Sequence, residues 1–446
     1  MIARKITKEL TAFFERKGKE ALLVSGARQV GKTFIIREFA REHYAHFVEI
    51  NFIKNPKAKT LFAETTSEDE FFTLLSMFTR TALVPGETLI FFDEVQACPE
   101  VVTFIKFLVD DGRFQYVLSG SLLGVELKDV RSAPVGYLRE VQMFPLDFEE
   151  FVRANGVGED ALTLARKHFE NGGVVPVPLH ERLMKLFRLY LVVGGMPAVV
   201  QSYLDTHDLR AVARLQKAIL VEYKKDASRY DEAERLRIVR VMELIPSELN
   251  RPNKRFYLND VRAKAKFDRL EDNFVWLEKA GVAIPVYNVD APKVPLELAK
   301  KANLFKLFMN DVGLLACQYA EGIQLKLLTE DGLVNFGSVY ENFVAQELRA
   351  HGYEKIYYFN SKVHGEVDFL IERGGAVCPL EVKSGAGYRH HAALDAVLSV
   401  ADYGLKDAMV LCGEGEVEKD FPSYVPIYAT MFLEHDPLPE KLIYEV

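Results

Sequence analysis

Short apolar runs alternate with helical patterns in the first part of the chain. Apolar residues at helical spacing predict an amphipathic helix over residues 2–17. The pattern then predicts buried strands at 21–26, 46–52, 88–94 and 115–121, with helices at 33–44, 71–83 and 101–111 between them. Strands that alternate with helices in this way predict a parallel sheet covered on both faces.

The pattern changes twice further along the chain. Residues 155–246 are mostly helical, and the sequence GGMP at 194–197 predicts a break between helices. Residues 247–290 give short helical segments followed by a strand-like run, VAIPVYNV, which is the order found in a small winged-helix module. From residue 303 onward strands and helices mix again, which predicts a second α/β domain.

Composition is that of an ordinary globular protein. The chain has 446 residues, 49% of them hydrophobic and 27% charged, which fits roughly two to four domains. A net charge of -8 argues against a uniformly basic surface for nucleic acid but allows a local basic patch. The four cysteines form no C-x-x-C pair, and neither a signal peptide nor a membrane-spanning stretch is evident. We therefore expect a cytoplasmic protein that does not enter the membrane.

Residues 26–33 read GARQVGKT and match the phosphate-binding pattern G-x-x-x-x-G-K-[ST]. Glycines let the loop turn so that its N–H groups surround phosphate oxygens at the start of a helix. Lys32 is predicted to reach the β- and γ-phosphates and Thr33 to bind magnesium. We therefore expect ATP and Mg²⁺ as cofactors. The predicted nucleotide-binding residues are Gly26, Ala27, Arg28, Gln29, Val30, Gly31, Lys32, Thr33 and Phe34.

Two acidic residues end the third predicted strand, in the sequence LIFFDE. Asp93 is predicted to hold the magnesium and Glu94 to activate the attacking water as a general base. Ser119, at the end of the next strand, is predicted to contact the γ-phosphate or to position the water. The alternative for the acidic pair is a helix cap or a solvated loop, and for the serine a helix cap.

Four segments together resemble a known family. GARQVGKT, FFDEVQ, LSGS and PLDFEEF (145–151) are similar to those of a prokaryotic family of AAA-type ATPases, in which a C-terminal domain of unknown function follows the ATPase. Many members carry an arginine where this chain has Tyr137, after Gly136; Arg131 and Arg139 are nearby. An arginine finger, and the ring assembly that such a finger implies, therefore stay open.

A second acidic site is predicted near the C-terminus. Asp368 lies in the strand GEVDFLIE, and Glu381 and Lys383 lie two apart in CPLEVKSG, so that they face one side of the sheet. Glu341, from the helical segment ENFVAQEL, would complete a magnesium site in which Lys383 stabilises the nucleophile. The D…E-x-K pattern resembles the PD-(D/E)XK nuclease superfamily. The alternative is a surface ion-pair cluster.

The predicted fold class is α/β, in four parts. A P-loop AAA-type ATPase core occupies 1–154 and a helical lid 155–246. A winged-helix-like module occupies 247–300 and a PD-(D/E)XK nuclease-like domain 301–446.

Basic residues cluster in the predicted winged helix, with aromatic residues between them. This segment gives the chain a local cationic patch that suits a phosphate backbone, although a solvated helical face is the alternative. The leading hypothesis is an ATP-hydrolysing switch coupled to nucleic acid, with possible cleavage; the alternative is a switch that recruits a protein partner. The basic residues are Arg251, Lys254, Arg255, Arg262, Lys264, Lys266 and Arg269, against Asp260 and Asp268.

Overall fold

The structure is a computed structural model that describes residues 2–436 apart from 18, 64, 66, 122–135, 228–231, 263–266, 268–269, 320–321 and 330–335. The chain divides into two compact units. Unit 1 comprises Met1–Phe144 and Lys279–Val282, and unit 2 comprises Pro145–Glu278 and Ala283–Val446.

Within the described residues, unit 1 is built around a parallel sheet with the strand order β2-β3-β4-β1-β5. The strands are β1 Ala21–Ser25, β2 His46–Asn51, β3 Thr88–Asp93, β4 Gln115–Ser119 and β5 Leu138–Gln142. The helices are α1 Thr7–Glu15, α2 Lys32–His43, α3 Thr60–Ala63, α4 Glu68–Thr79 and α5 Glu100–Asp111. The predicted parallel α/β arrangement is confirmed. Strand β5 was not predicted, because its sequence LREVQ is largely polar and partly exposed at the edge of the sheet.

The order of the strands determines where polar residues meet in unit 1. Apolar side chains such as Ile50, Phe92 and Leu118 are buried in one cluster with those of the helices. Parallel strands align their carboxyl ends, and the register pairs Asn51 with Asp93 and Asp93 with Ser119. The polar ends of three neighbouring strands therefore lie side by side.

Unit 2 begins with helices. They are α6 Phe148–Ala154, α7 Glu159–Asn171, α8 Val177–Val193, α9 Pro197–Thr206, α10 Leu209–Asp226, α11 Glu232–Leu249, α12 Leu258–Val261 and α13 Glu271–Lys279, whose last residue belongs to unit 1. The later helices are α14 Val312–Ala316, α15 Ile323–Thr329, α16 Gly337–Ala350 and α17 Ala392–Leu398. Over the described part of the chain, no single helix has the length and apolar character to span a membrane; only the bent pair α8 and α9 meets those two criteria together.

The main sheet of unit 2 is mixed, and its described strands lie in the order β14-β12-β11-β10-β9-β7-β8. They are β7 Ala283–Val289, β8 Lys300–Met309, β9 Ile356–Ser361, β10 Gly365–Arg373, β11 Ala376–Val382, β12 Met409–Cys412 and β14 Ser423–Pro426. A small antiparallel pair consists of β6 Gly173–Val174 and β13 Glu416–Val417. The predicted strands at 365–372 and 378–385 are antiparallel neighbours, β10 and β11.

The strand that ends the expected winged-helix module belongs to this same sheet. Strand β7 contains the sequence AIPVYNV and pairs antiparallel with β8 and parallel with β9. Almost every residue of β7 is buried, which suits a strand with a neighbour on each side. Residues 247–300 and 301–446 therefore share one sheet. The winged-helix module, the nuclease-like domain and the four boundaries stay predictions.

The GGMP break has a steric cause. Position 195 has no room for a side chain, because a Cβ atom on Gly195 would lie 2.0 Å from the carbonyl oxygen of Leu146. The backbone of Leu146 donates to Gly195 O at 2.7 Å, and the Gly195 N–H donates to the buried Asp311 at 2.6 Å. Asp147 then caps helix α6, so the PLDFEEF motif begins this helix and holds it against the break.

Candidate functional site

The loop between β1 and α2 has the conformation that its sequence predicts. Gly26 has φ 138°, and a Cβ atom there would lie 2.1 Å from the carbonyl oxygen of Met143. Gly31 has φ 95° and immediately precedes the first helical residue, Lys32. Both positions therefore require glycine. The loop ends at a helix N-terminus, where free N–H groups favour an anion.

Lys32 lies buried against this loop. Its Nζ donates to the carbonyl oxygens of Gly26 at 2.9 Å and Ala27 at 2.8 Å. Burial lowers the pKa of Lys32 to about 8, although the nearby Glu94 and Asp93 carboxylates oppose this shift. The ammonium is thus held where phosphate oxygens would approach, and a bound phosphate would favour its charged form.

The other predicted loop residues differ in exposure. Ala27 and Val30 are buried, and Arg28 is half-buried. Gln29 is exposed with φ 65°, and the Phe34 side chain is 57% exposed. The side chains of Gln29 and Phe34 therefore face solvent and do not form the wall of a closed pocket.

Asp93 is the centre of the polar cluster at the strand ends, and only 2% of it is exposed. It accepts hydrogen bonds from Thr33 Oγ1 at 3.2 Å and Asn51 Nδ2 at 2.8 Å, and from the hydroxyl of Ser119. The Glu94 N–H also donates to it, at 3.1 Å. A hydroxyl and a carboxylate this close are the oxygen ligands that Mg²⁺ prefers beside a P-loop. Thr33 and Asp93 therefore fit the predicted magnesium site.

Glu94 is held by residues that the sequence analysis did not identify. Its backbone lies in the left-handed region, with φ 59°. Gln96 donates to its carboxylate and also to Ser121 Oγ at 3.4 Å, and Arg28 Nε donates to the same hydroxyl at 3.4 Å. A chain of contacts thus connects the phosphate loop to the predicted general base. The signal for Gln96 was its place two residues after Glu94, and Asn51 was signalled by its position at the end of strand β2.

Tyr137, at the position where many members of the similar family carry an arginine, and its neighbour Arg139 both have contacts within unit 1. The Lys106 ammonium lies 5.5 Å from the centre of the Tyr137 ring. Arg139 forms ion pairs with Glu20 at 2.9 Å and Glu9 at 2.5 Å. Arg131 lies outside the described residues. Arg139 is therefore engaged within its own chain, and the arginine finger stays unassigned.

The predicted C-terminal residues come together in unit 2. Asp368 and Glu381 lie next to the cross-strand pair Phe369–Leu380, and the Val382 N–H donates to Asp368 Oδ2 at 2.9 Å. Lys383 directly follows β11, and its ammonium lies 2.8 Å from Glu381 Oε1. No donor among the described residues reaches the other oxygen, Glu381 Oε2, which is buried.

Two lysines outside the predicted set occupy this cluster. The fully buried Lys306 places its ammonium 2.7 Å from Glu366, 3.4 Å from Glu341 and 3.9 Å from Asp368. Lys254 forms an ion pair with the other oxygen of Glu341. The sequence signal for Lys306 was a single lysine inside the apolar run LFKLFM, which forces a long cationic side chain into the sheet.

The cluster has the electrostatics of packed carboxylates. Burial raises the pKa of Glu381 to about 8, and the neighbouring Asp368 adds to the shift while Lys383 opposes it. Burial also raises the pKa of Glu341. Over the residues that the structure describes, no three His, Cys, Asp or Glu side chains are disposed to hold a metal ion. The cluster therefore contains two lysine ammonium groups among its carboxylates, and the metal site at Glu341, Asp368 and Glu381 stays a prediction.

The basic segment near residue 260 is partly neutralised within the chain. Arg251 forms ion pairs with Glu248 at 3.3 Å and with Asp260, and stacks over Tyr257. Lys254 is committed to the buried Glu341. Lys264, Lys266, Asp268 and Arg269 lie outside the described residues. Within the described part, the segment is less available to an outside anion than its sequence implied.

Comparisons with known proteins agree with the geometry of unit 1. Residues 18–152 match a family model described as an AAA domain. This chain contains an AAA-type P-loop ATPase domain. Residues 184–326 and 336–429 match two models described as domains of unknown function, DUF8612 and DUF4143. A search of curated proteins finds no match.

Three solved structures show partial similarity to this chain. The Walker-type ATPase paby2304 of Pyrococcus abyssi has 18% identity and a TM-score of 0.42, over 71% of this chain and 96% of that one. The Aeropyrum pernix Orc1 protein in complex with DNA has 13% identity and a TM-score of 0.29, over 74% and 94%. A RuvB variant of Thermotoga maritima has 15% identity and a TM-score of 0.29, over 63% and 89%. The function proposed below rests on the sites themselves.

Proposed function

We propose that this protein binds ATP with Mg²⁺ and hydrolyses it at the P-loop of unit 1. The observation that carries the proposal is the contact of Thr33, Asn51 and Ser119 with the buried Asp93, at the end of a loop that holds Lys32. A loop lysine, a threonine hydroxyl and a strand-end carboxylate are the groups that P-loop ATPases use on phosphates and magnesium.

Each residue has a role in this reaction. Lys32 exchanges its contacts with the Gly26 and Ala27 carbonyls for contacts with phosphate oxygens. Thr33 and Asp93 would hold the magnesium, which when bound would neutralise negative charge on the phosphates. Glu94 accepts a proton from the attacking water, and Ser119 orients the water or the γ-phosphate. Water attack, rather than transfer to a second substrate, follows from the acidic pair at the end of β3.

The test is phosphate release from Mg-ATP by the full chain. Lys32→Ala is expected to abolish both nucleotide binding and hydrolysis, and chelation of magnesium is expected to stop turnover. Lys8→Ala is the matched control, because Lys8 is an exposed lysine of the same unit. Loss of activity in Lys8→Ala, or full activity in Lys32→Ala, contradicts the proposal.

We infer that unit 2 binds nucleic acid and does not cleave it. A cleft lined by Arg182, Lys185 and Arg188 supports a phosphate backbone as the ligand. The Lys306 and Lys254 ammonium groups already pair with carboxylates of the cluster, and this pairing argues against metal-dependent cleavage. ATP hydrolysis in unit 1 would then be coupled to nucleic acid bound in unit 2.

A metal-dependent nuclease and a protein-recruiting switch are the competing functions. The unpartnered oxygen of Glu381, beside Lys383, is the feature that favours the nuclease. The experiment measures phosphate release with and without single- and double-stranded DNA, together with strand cleavage in Mg²⁺ or Mn²⁺. DNA-stimulated hydrolysis without cleavage supports binding alone. Cleavage that disappears in Asp368→Ala supports the nuclease, and hydrolysis indifferent to DNA supports a protein partner.

A further inference from the structure

Two clefts in unit 2 meet at one arginine. The first has a volume of about 660 Å³ and the second about 570 Å³. Arg188, a half-buried residue of helix α8, lines both. A ligand that occupies both clefts must therefore pass Arg188.

The second cleft is cationic. Arg182, Lys185 and Arg188 line it from one helix, together with His207 from the end of α9. Residues three apart on a helix share a face, so these three cations form a stripe about 9 Å long. None of the described lining residues of this cleft is an Asp or Glu. In a chain of net charge -8, this lining is a local reversal of charge.

Aromatic and apolar side chains also line the two clefts. Tyr203 lines the second cleft, and Phe336 and Tyr340 line the first. Leu186 and Leu189 add apolar surface on the same helix as the cations. Cations that follow a backbone, with aromatic rings beside them for stacking, are the recognition features of single-stranded nucleic acid. A base-paired duplex keeps its bases stacked inside and has no use for such rings.

The first cleft borders the D…E-x-K cluster. Lys383 lines this cleft, followed by Ser384 and Gly385 on an exposed loop. A Cβ atom on Gly385 would meet nothing within 4 Å, so the loop leaves open space beside it. The first cleft also contains Glu181 and Glu414, so its lining is of mixed charge and the cationic character is concentrated in the second cleft.

We propose that a single strand of nucleic acid binds along helix α8, with its phosphates at Arg182, Lys185 and Arg188 and its bases against Tyr203. The strand continues past Arg188 toward Lys383. This inference rests on the proposed binding of nucleic acid by unit 2, and it assigns the binding to a surface outside the basic segment near residue 260.

The test is fluorescence anisotropy of a labelled 20-nucleotide oligo-dT with the full chain. The variant Arg182→Ala/Lys185→Ala/Arg188→Ala is expected to bind about 100-fold more weakly at 0.1 M salt. Its slope of log K against log salt is expected to be smaller by about 2, since each phosphate contact on a single strand contributes about 0.7. Basal phosphate release is expected to stay unchanged, because the ATP site lies in unit 1.

The matched control removes the same charge elsewhere in unit 2. Arg214→Ala/Lys225→Ala/Lys293→Ala replaces three cations outside the clefts, and its affinity is expected to stay within about twofold of the unmodified protein. The fluorescence of Trp276, the single tryptophan and a buried residue of unit 2, verifies that each variant is folded.

The outcomes separate this inference from the proposed function. Unmodified protein that binds oligo-dT while the cleft variant keeps full affinity overturns the cleft assignment alone. Tighter binding of a 20-base-pair duplex than of oligo-dT overturns the single-strand assignment. Unmodified protein that binds neither DNA at 50 mM salt overturns the proposed ligand class, and with it this site.

Discussion

Lys306→Met tests whether the buried ammonium holds the carboxylate cluster of unit 2 together. Lys306 is fully buried, and its ammonium lies 2.7 Å from Glu366 and 3.4 Å from Glu341. Methionine keeps most of the length and the apolar contacts of the lysine stem, so that the change removes mainly the charge. Glu341 and Asp368 are then left buried with less compensation.

The expected magnitude follows from the cost of breaking a buried ion pair by removing one partner, about 3–5 kcal/mol. Burial by itself lowers the pKa of Lys306, but Glu341, Glu366 and Asp368 outweigh burial and raise its pKa above the ordinary value. A raised lysine pKa contributes stability that is fully present below the unfolded pKa and is lost only as pH rises through the folded one. At pH 7 the whole contribution is therefore present and is removed by the substitution.

The assay is urea unfolding followed by the fluorescence of Trp276, which reports unit 2 alone. With an m-value of about 3 kcal/mol/M, the midpoint should fall by roughly 1–1.7 M. Lys293→Met is the control, because the Lys293–Asp402 pair is largely exposed and is worth about 0–1 kcal/mol. A loss for Lys306→Met no larger than that of the control refutes the reasoning.

Three other predictions concern titration and the positioning of the general base. The pKa of Lys32 is near 8 without nucleotide, and a bound phosphate raises that pKa. The affinity for Mg-ATP should therefore be constant below pH 8 and fall above pH 8. Titration calorimetry that shows no fall in affinity by pH 9.5 contradicts this prediction. Because the pKa of Glu381 is raised to about 8, its contribution to stability is present at low pH and lost as pH rises from about 4.5 to 8. Glu381→Gln should therefore be more stable relative to the unmodified protein at pH 8.5 than at pH 5.5, and urea midpoints that differ equally at both pH values contradict it. Gln96→Ala should lower kcat about 10-fold or more with little change in KM, because the Glu94 carboxylate loses a hydrogen-bond donor. An unchanged kcat contradicts this prediction.

Much of unit 1 was predictable because its strands are short, apolar and bounded by turn signals. The predicted strand at 21–26 corresponds to Ala21–Ser25, and that at 88–94 to Thr88–Asp93. The P-loop pattern also determined which side chains meet, since parallel strands place Asp93 and Ser119 side by side. In unit 1 the sequence pattern therefore predicted both the strands and the polar residues that lie side by side at their ends.

The polar contacts in unit 2 were harder to predict because they depend on strand order. Lys306 and Asp368 are 62 positions apart in the sequence and lie on strands that are not neighbours in the sheet, yet their charged groups are 3.9 Å apart. No local pattern gives the order β10-β9-β7-β8 that brings them together. The pattern placed Asp368 and Glu381 correctly on adjacent strands, because a short turn connects those two.

The central claim is tested most directly by the Glu94→Gln variant in a single-turnover experiment with Mg-ATP. The amide keeps the size and the hydrogen-bonding position of the carboxylate but does not take the proton of the attacking water. We predict that the variant binds Mg-ATP as tightly as the unmodified protein and releases phosphate about 10²–10⁴-fold more slowly. Phosphate release at the unmodified rate contradicts the proposed reaction at this site.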